Sequence, residues 1–321
     1  MLQESFSGKK EIVLDYSKFP RWWFAQEESS TGSITIPVSA SPVKMKAKRP
    51  HEEGSDGSHK VSKKIRDGAD NSSIVPLQLL ASDSNRYRRA TTVLKELTGR
   101  NNYFLCAESN LTTENIARLQ IAKHKVTWES VGRRGLLLVL SDGTFFLEND
   151  NVNGGGEMNK VYIVTCPLYI PNPQKPSTCQ HRTLLDVTLV MDRENGTLIP
   201  RFLVSDILVH MGSILMNKPF SLRSKYVIDG IILARKKSVN IWNYSKERIR
   251  MRAKEYFGLK ETGFVCKQVM KAQLHGTDGL RFVSREGLYK QSNDGYGDGV
   301  LLCKSDNEEM KEKILTHIAT L

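Results

Sequence analysis

Val126-Thr127-Trp128-Glu129-Ser130-Val131-Gly132-Arg133-Arg134, followed after Gly135 by the apolar run Leu136-Leu137-Leu138-Val139-Leu140, is the stretch on which the reading of this chain turns. Val126 to Trp128 and Gly135 to Leu140 read as short strands, and Thr144 to Leu147 and Val161 to Thr165 continue the pattern, with Ser141-Asp142-Gly143 as a hairpin-type turn. The three consecutive glycines within Asn151 to Glu157 predict a flexible loop, and Pro167 to Cys179 a second one. Upstream, Tyr87, Ala90, Val93, Leu94 and Leu97 recur at helical spacing within Arg86 to Leu97, with Gly99 as the stop. Leu111 to Leu119 contains a capped turn at Thr112-Thr113-Glu114-Asn115-Ile116.

Composition narrows the classes available. The chain has 321 residues, 39% hydrophobic and 26% charged, enough for one sizeable core with tails. It contains no apolar run of membrane-spanning length, and Met1 to Lys10 lacks the apolar core of a secretory signal, so no membrane partner is expected. The five cysteines are scattered with no C-x-x-C pair, which argues for reduced thiols and against a metal cluster. A net charge of +12 favours polyanionic partners. Residues 1–84 read as a mostly disordered basic arm. Its two basic clusters, which include Lys46, Lys48 and Arg49, then Lys63, Lys64 and Arg66, have the spacing of a bipartite nuclear localisation signal, predicting an import receptor as partner and a nuclear location. Ahead of them Phe19, Trp22, Trp23 and Phe24 form an aromatic patch suited to a protein partner or to docking in cis.

The motif around Glu129 resembles the first motif of the mRNA capping guanylyltransferases, in the covalent nucleotidyltransferase superfamily that also holds ATP-dependent DNA ligases. That motif reads Lys-x-Asp-Gly-x-Arg, and its lysine carries GMP as a phosphoramidate. Here Gly132 and Arg134 stand, while Glu129 takes the place of the lysine and Val131 that of the aspartate. Thr183 to Asp192 is similar to Thr-Leu-Leu-Asp-Gly-Glu-Leu-Val-x-Asp, with Asn195-Gly196 as the turn, and Pro200 to Leu208 resembles the returning Pro-Arg-Tyr-Leu-x-Tyr-Asp strand. Asp186 and Asp206 match; Thr188 replaces a glutamate and Ser205 an aromatic residue. Ile249 to Phe257 resembles Val-Arg-Pro-Lys-x-Phe-Phe, and His275 to Phe282 resembles His-x-x-Asp-Gly-Leu-Ile-Phe with Asp278 and Gly279 intact. Arg281 stands where that pattern has an apolar residue, and the sequence offers no account of it. Gly299 to Lys304 occupies the place of Ile-Leu-Lys-Trp-Lys and keeps the second lysine, Lys304.

The resemblance covers Asn110 to Lys304. It implies an α+β fold of the DNA-ligase type, ATP-grasp-like, with antiparallel sheets and flanking helices over residues 85–306, then a C-terminal helix over 307–321. Neither a C-terminal OB-fold nor an N-terminal triphosphatase with a Cys-x5-Arg loop is expected. It implies Gly132, Arg134, Asp186, Asp206, Asp278, Gly279 and Lys304 as nucleotide-binding residues, with GTP and Mg²⁺ as cofactors if nucleotide binding is kept. No residue is assigned as catalytic or as a metal ligand. A glutamate at 129 cannot form the phosphoramidate and repels a triphosphate. Lys125 lies about two residue pairs, roughly 13 Å, from Glu129 along the strand, and Arg133 and Arg134 stay protonated. Structural roles remain open alternatives: glycine geometry for Gly132 and Gly279, strand bridging for Asp186 and Asp278, hydrogen bonding for His275, core packing for Trp128. The expectation is an inactive, guanylyltransferase-like pseudoenzyme that binds nucleotide, an RNA 5′ end or a partner. The alternatives are an active guanylyltransferase using an unaligned lysine or a partner chain, and a cap-binding import adaptor similar to snurportin.

Overall fold

The computed structural model describes residues 75–100, 105–149, 159–290 and 299–321. The arm, with its basic clusters and its aromatic patch, lies outside them, as does the glycine-rich loop after Asn149. Eight strands form a large sheet: β1 (Leu77–Leu79), β4 (Arg133–Leu140), β5 (Gly143–Asn149), β6 (Asn159–Val164), β7 (Thr183–Glu194), β8 (Thr197–His210), β9 (Ser213–Ile214) and β10 (Arg250–Ala253). Their order is β1-β6-β5-β4-β7-β8-β10, with β9 also on β8; β10 runs parallel to β8 and the other pairs are antiparallel. A smaller sheet has the order β11-β3-β12-β13-β2, from β2 (Glu108–Asn110), β3 (His124–Ser130), β11 (Phe257–Gly258), β12 (Thr277–Ser284) and β13 (Val300–Cys303).

The continuous apolar run in β4 follows from its place. Leu136, Leu138 and Leu140 face one core cluster and Leu137 and Val139 the other, so this antiparallel strand is covered on both sides and does not alternate with polar residues. On the first side lies α1 (Asn85–Thr98), which buries Ala90, Val93, Leu94 and Leu97. Ser84 caps its start by accepting from the Tyr87 N–H, and Gly99 ends it at φ 70°, the left-handed geometry a helix C-terminus favours. The other side is covered by Val227 and Ile231, in the helical stretch formed by α2 (Phe220–Tyr226), a π-helical segment (Val227–Ile232) and α3 (Leu233–Lys237). Asn195 (φ 48°) and Gly196 (φ 82°) close the β7–β8 hairpin, as the sequence predicts, because two successive positive φ values match the twist of the strands they join.

The described fold begins at β1 and ends in the C-terminal helix. Near the end of the 1–84 span, Leu77, Gln78 and Leu79 pair with β6, so a three-residue edge strand, too short for a periodicity signal, begins the sheet. The helix at the other end, here α4 (Glu308–Thr320), packs on the same domain, burying Met310, Ile314 and Ile318. The five cysteines are free thiols. Among the described residues no helix is long and apolar enough to cross a membrane.

Candidate functional site

The β3–β4 segment carries the chain from the small sheet to the large one, and the site lies where their facing sides meet. Glu129, near the end of β3, is met by Arg281 of β12: Arg281 Nε donates to Glu129 Oε2 at 2.7 Å, and its Nη2 to Glu108 Oε1 at 2.5 Å. Glu108 also pairs with Arg134 on β4. Arg134 in turn makes a bidentate bond to Asp186 on β7, at 3.2 and 2.8 Å, and Tyr289 donates its hydroxyl to the same carboxylate at 2.8 Å. A second bidentate pair, Arg223 with Asp206, stands beside it. Burial pushes the Glu129 carboxyl up, but Arg281 and Lys254 outweigh it and hold the group below its ordinary pKa, so it is charged at neutral pH.

Lys254 completes the cluster. It follows β10, is buried, and donates from Nζ to Ser130 Oγ at 3.4 Å, with Nζ 5.8 Å from the centre of the Trp128 ring. Burial lowers its pKa to about 7, against the opposing pull of Glu129. Arg134, Arg223, Arg281 and Lys254 thus face Glu108, Glu129, Asp186 and Asp206, and their formal charges cancel. Cys106, Arg134, Asp206, Tyr256 and Arg281 line a residual cavity of about 20 Å³, room for about one water.

The candidates from the sequence divide into three groups. Arg134, Asp186 and Asp206 belong to the buried cluster. Asp278 and Lys304 stand apart as a half-exposed pair at 3.0 Å, close enough for Lys304 to act on the charge of Glu129. Gly132 and Gly279 are explained by backbone: a Cβ on Gly132 would come within 2.5 Å of the Leu189 carbonyl oxygen, and Gly279 sits at φ 107° against the Cys303 carbonyl. Val131 is 57% exposed. His275 is buried, its Nδ1 2.8 Å from Asp192 Oδ1 and its Nε2 3.2 Å from Ser130 Oγ, so it joins the loop before β12 to both sheets. Among the described residues no group of three or more His, Cys, Asp and Glu side chains is placed to hold a metal ion. Glu108, Arg223 and Lys254 are site residues that sequence reasoning missed. Only Lys254 left a trace, as the lysine of the Val-Arg-Pro-Lys-like segment.

Next to Lys254, Glu255 is also buried, with no hydrogen-bond partner on Oε2 among the described residues, and burial raises its pKa to about 8. The unfolded carboxyl ionises above roughly pH 4.5 while the folded one keeps its proton to about 8, so the folded state loses stability as pH rises through that window. Measured against wild type, Glu255→Gln is expected to gain up to about 3 kcal/mol between pH 5 and pH 8 in denaturant unfolding. A difference between the two proteins that stays constant across the window would rule this out.

Among solved structures, the chain has a partial similarity to a mycobacterial DNA ligase D complexed with ATP and MES (TM-score 0.37, 15% identity, 63% of this chain and 60% of that one) and to the ligase domain of M. tuberculosis LigD (TM-score 0.38, 16% identity, 63% and 59%). In sequence the chain is similar to an mRNA-capping enzyme of Danio rerio, 24% identical over 181 residues. That match takes in 54% of this chain and 28% of the zebrafish protein, so the chain spans just over a quarter of its relative. Residues 95–304, which hold the whole cluster from Glu108 to Tyr289, match the catalytic-domain family of the mRNA capping enzymes, and the chain belongs to that family.

Proposed function

We propose that this chain is a capping-type nucleotidyltransferase domain that no longer carries out the covalent step and serves as a binding module for RNA 5′ ends in the nucleus. The observation that carries this reading is the Glu129–Arg281 pair. The position of the attacking lysine holds a carboxylate, and a guanidinium replaces the apolar residue of the fourth motif beside it, at 2.7 Å. The two departures are complementary in charge, which supports an adapted site rather than random decay. A carboxylate has no amine to form the phosphoramidate, and Val131 and Thr188 remove further polar groups of the resembled pattern. Binding of GTP at this cluster would have to break existing pairs, since its guanidiniums are already bonded to carboxylates and the space between them admits about one water. The basic clusters at Lys46 to Arg49 and Lys63 to Arg66 support nuclear import.

Purified protein incubated with α-labelled GTP and Mg²⁺ or Mn²⁺ is expected to carry no label after denaturing electrophoresis. A second reading, of an active enzyme with a displaced nucleophile, is favoured by Lys254, a buried amine with a pKa of about 7 that lies in the electrostatic field of Glu129. Label mapped by peptide sequencing to Lys254 would establish that reading and overturn the first.

A further inference from the structure

Arg248, Arg250, Arg252 and Lys254 occupy every second position of one segment, and Ile249, Met251 and Ala253 fill the places between. The apolar three are buried in the core cluster beneath the π-helical segment, so alternation along β10 turns Arg250 and Arg252 to the opposite side, where the two sheets meet, with Arg248 just before the strand and Lys254 just after it. Burial is graded along this file: Arg248 is exposed, the Arg250 side chain is 51% exposed, that of Arg252 26%, and Lys254 is buried beside Ser130. β10 pairs with β8 alone among the described residues, so the file runs along an open sheet edge from the surface into the site. The acids nearby are shared. Asp192 is engaged by Arg201 and His275, and Glu194 by Arg201 and Arg250. Arg252 reaches Asp192 only at 3.7 Å, and its Nε has no acceptor among the described residues. The file therefore presents more positive charge than its surroundings neutralise.

On the strand, Arg250 and Arg252 are two residues apart and so separated by roughly 6.6–6.8 Å, a spacing comparable to that of phosphates along an extended single strand. We infer that the outer edge of β10 is a contact track for single-stranded RNA, whose phosphates meet Arg248, Arg250 and Arg252 in turn and whose 5′ end points toward Lys254. This rests on RNA being the partner, as proposed above. A basic edge strand also discourages edge-to-edge aggregation, but that role would leave RNA affinity untouched.

The test is fluorescence anisotropy of the full chain with a 3′-fluorescein-labelled oligoribonucleotide carrying a 5′-triphosphate, titrated at several salt concentrations. The arm contributes equally to every variant. Arg248→Ala/Arg250→Ala is expected to weaken binding about tenfold near 0.1 M salt and to reduce the slope of log K against log salt by about 1.4, two phosphates at roughly 0.7 each. Arg88→Ala/Lys95→Ala, which removes two exposed cations from α1, is expected to change neither by more than about twofold. Equal losses in both variants, or no loss in the first, would overturn the track. Absence of binding by wild type would overturn the RNA reading with it, whereas wild-type affinity and slope in the β10 variant would overturn the track alone.

Discussion

Glu129→Lys is expected to destabilise the domain by about 3 kcal/mol and to lower its melting temperature by about 10 °C, without creating a guanylylated protein. The substitution restores the residue of the resembled motif, yet it sets an ammonium against the Arg281 guanidinium, whose side chain is 5% exposed. Breaking a buried ion pair by altering one partner leaves the other charge desolvated and unmatched, which costs several kcal/mol. Arg281 keeps Glu108, so the loss stays below that of an isolated pair. Glu129→Lys/Arg281→Ile removes the repulsion from Arg281, leaving that from Lys254, and is expected to recover about half of the stability, since Arg134 still satisfies Glu108. Thermal unfolding of the four members of this cycle measures the coupling. The α-labelled GTP assay on the same proteins asks whether chemistry returns. No label is expected in any of them, because Val131 and Thr188 still stand where the motifs have aspartate and glutamate. A Glu129→Lys protein as stable as wild type would remove the ion pair from the explanation, and label on the introduced lysine would show that the rest of the pocket is intact.

The sequence made the large sheet legible where signals are local. α1 has its apolar spacing and its glycine stop, the β7–β8 hairpin has Asn195-Gly196, and β4 has an unbroken apolar run. The site was legible only as positions. What each position does depends on contacts over long separations: Glu129 with Arg281 across 152 residues, and Glu108 with Arg281 across 173. No periodicity reports such pairs. Arg281 looked anomalous because its meaning lies in Glu129, and Glu129 looked like simple loss because its meaning lies in Arg281. Asp278 and Lys304, taken as nucleotide contacts, bond to each other, a pairing that only the register of β12 against β13 brings about. Lys254 left its trace in the segment from Ile249 to Phe257, but its place in the site depends on Ser130 and Trp128 of β3, more than a hundred residues away, which no local pattern announces.

That same dependence on distant partners governs the second large effect. Arg223→Ala is expected to destabilise the domain by about 4 kcal/mol, more than any exposed arginine could. Arg223 is 2% exposed and uses its whole guanidinium: Nε and Nη2 donate to Asp206 at 2.9 and 2.8 Å, and Nη1 donates to the carbonyls of Gly287 at 2.9 Å and of Lys218. It therefore ties α2 to β8 and to the segment before Tyr289, whose hydroxyl bonds Asp186 in the buried cluster. Truncation leaves the Asp206 carboxylate, also buried, without its counter-charge, and two carbonyl oxygens without their donor. Arg223→Lys is expected to recover less than half of the loss, because a single ammonium cannot match the two carboxylate bonds and reach both carbonyls. Asp206→Asn/Arg223→Met, which removes both charges while keeping volume, is expected to lie above the Arg223→Ala protein, since the main cost of truncation is the unpaired carboxylate. Denaturant unfolding of the three variants decides it. A double variant no more stable than Arg223→Ala would mean that the carbonyl bonds and the packing of the arginine stem outweigh the ion pair.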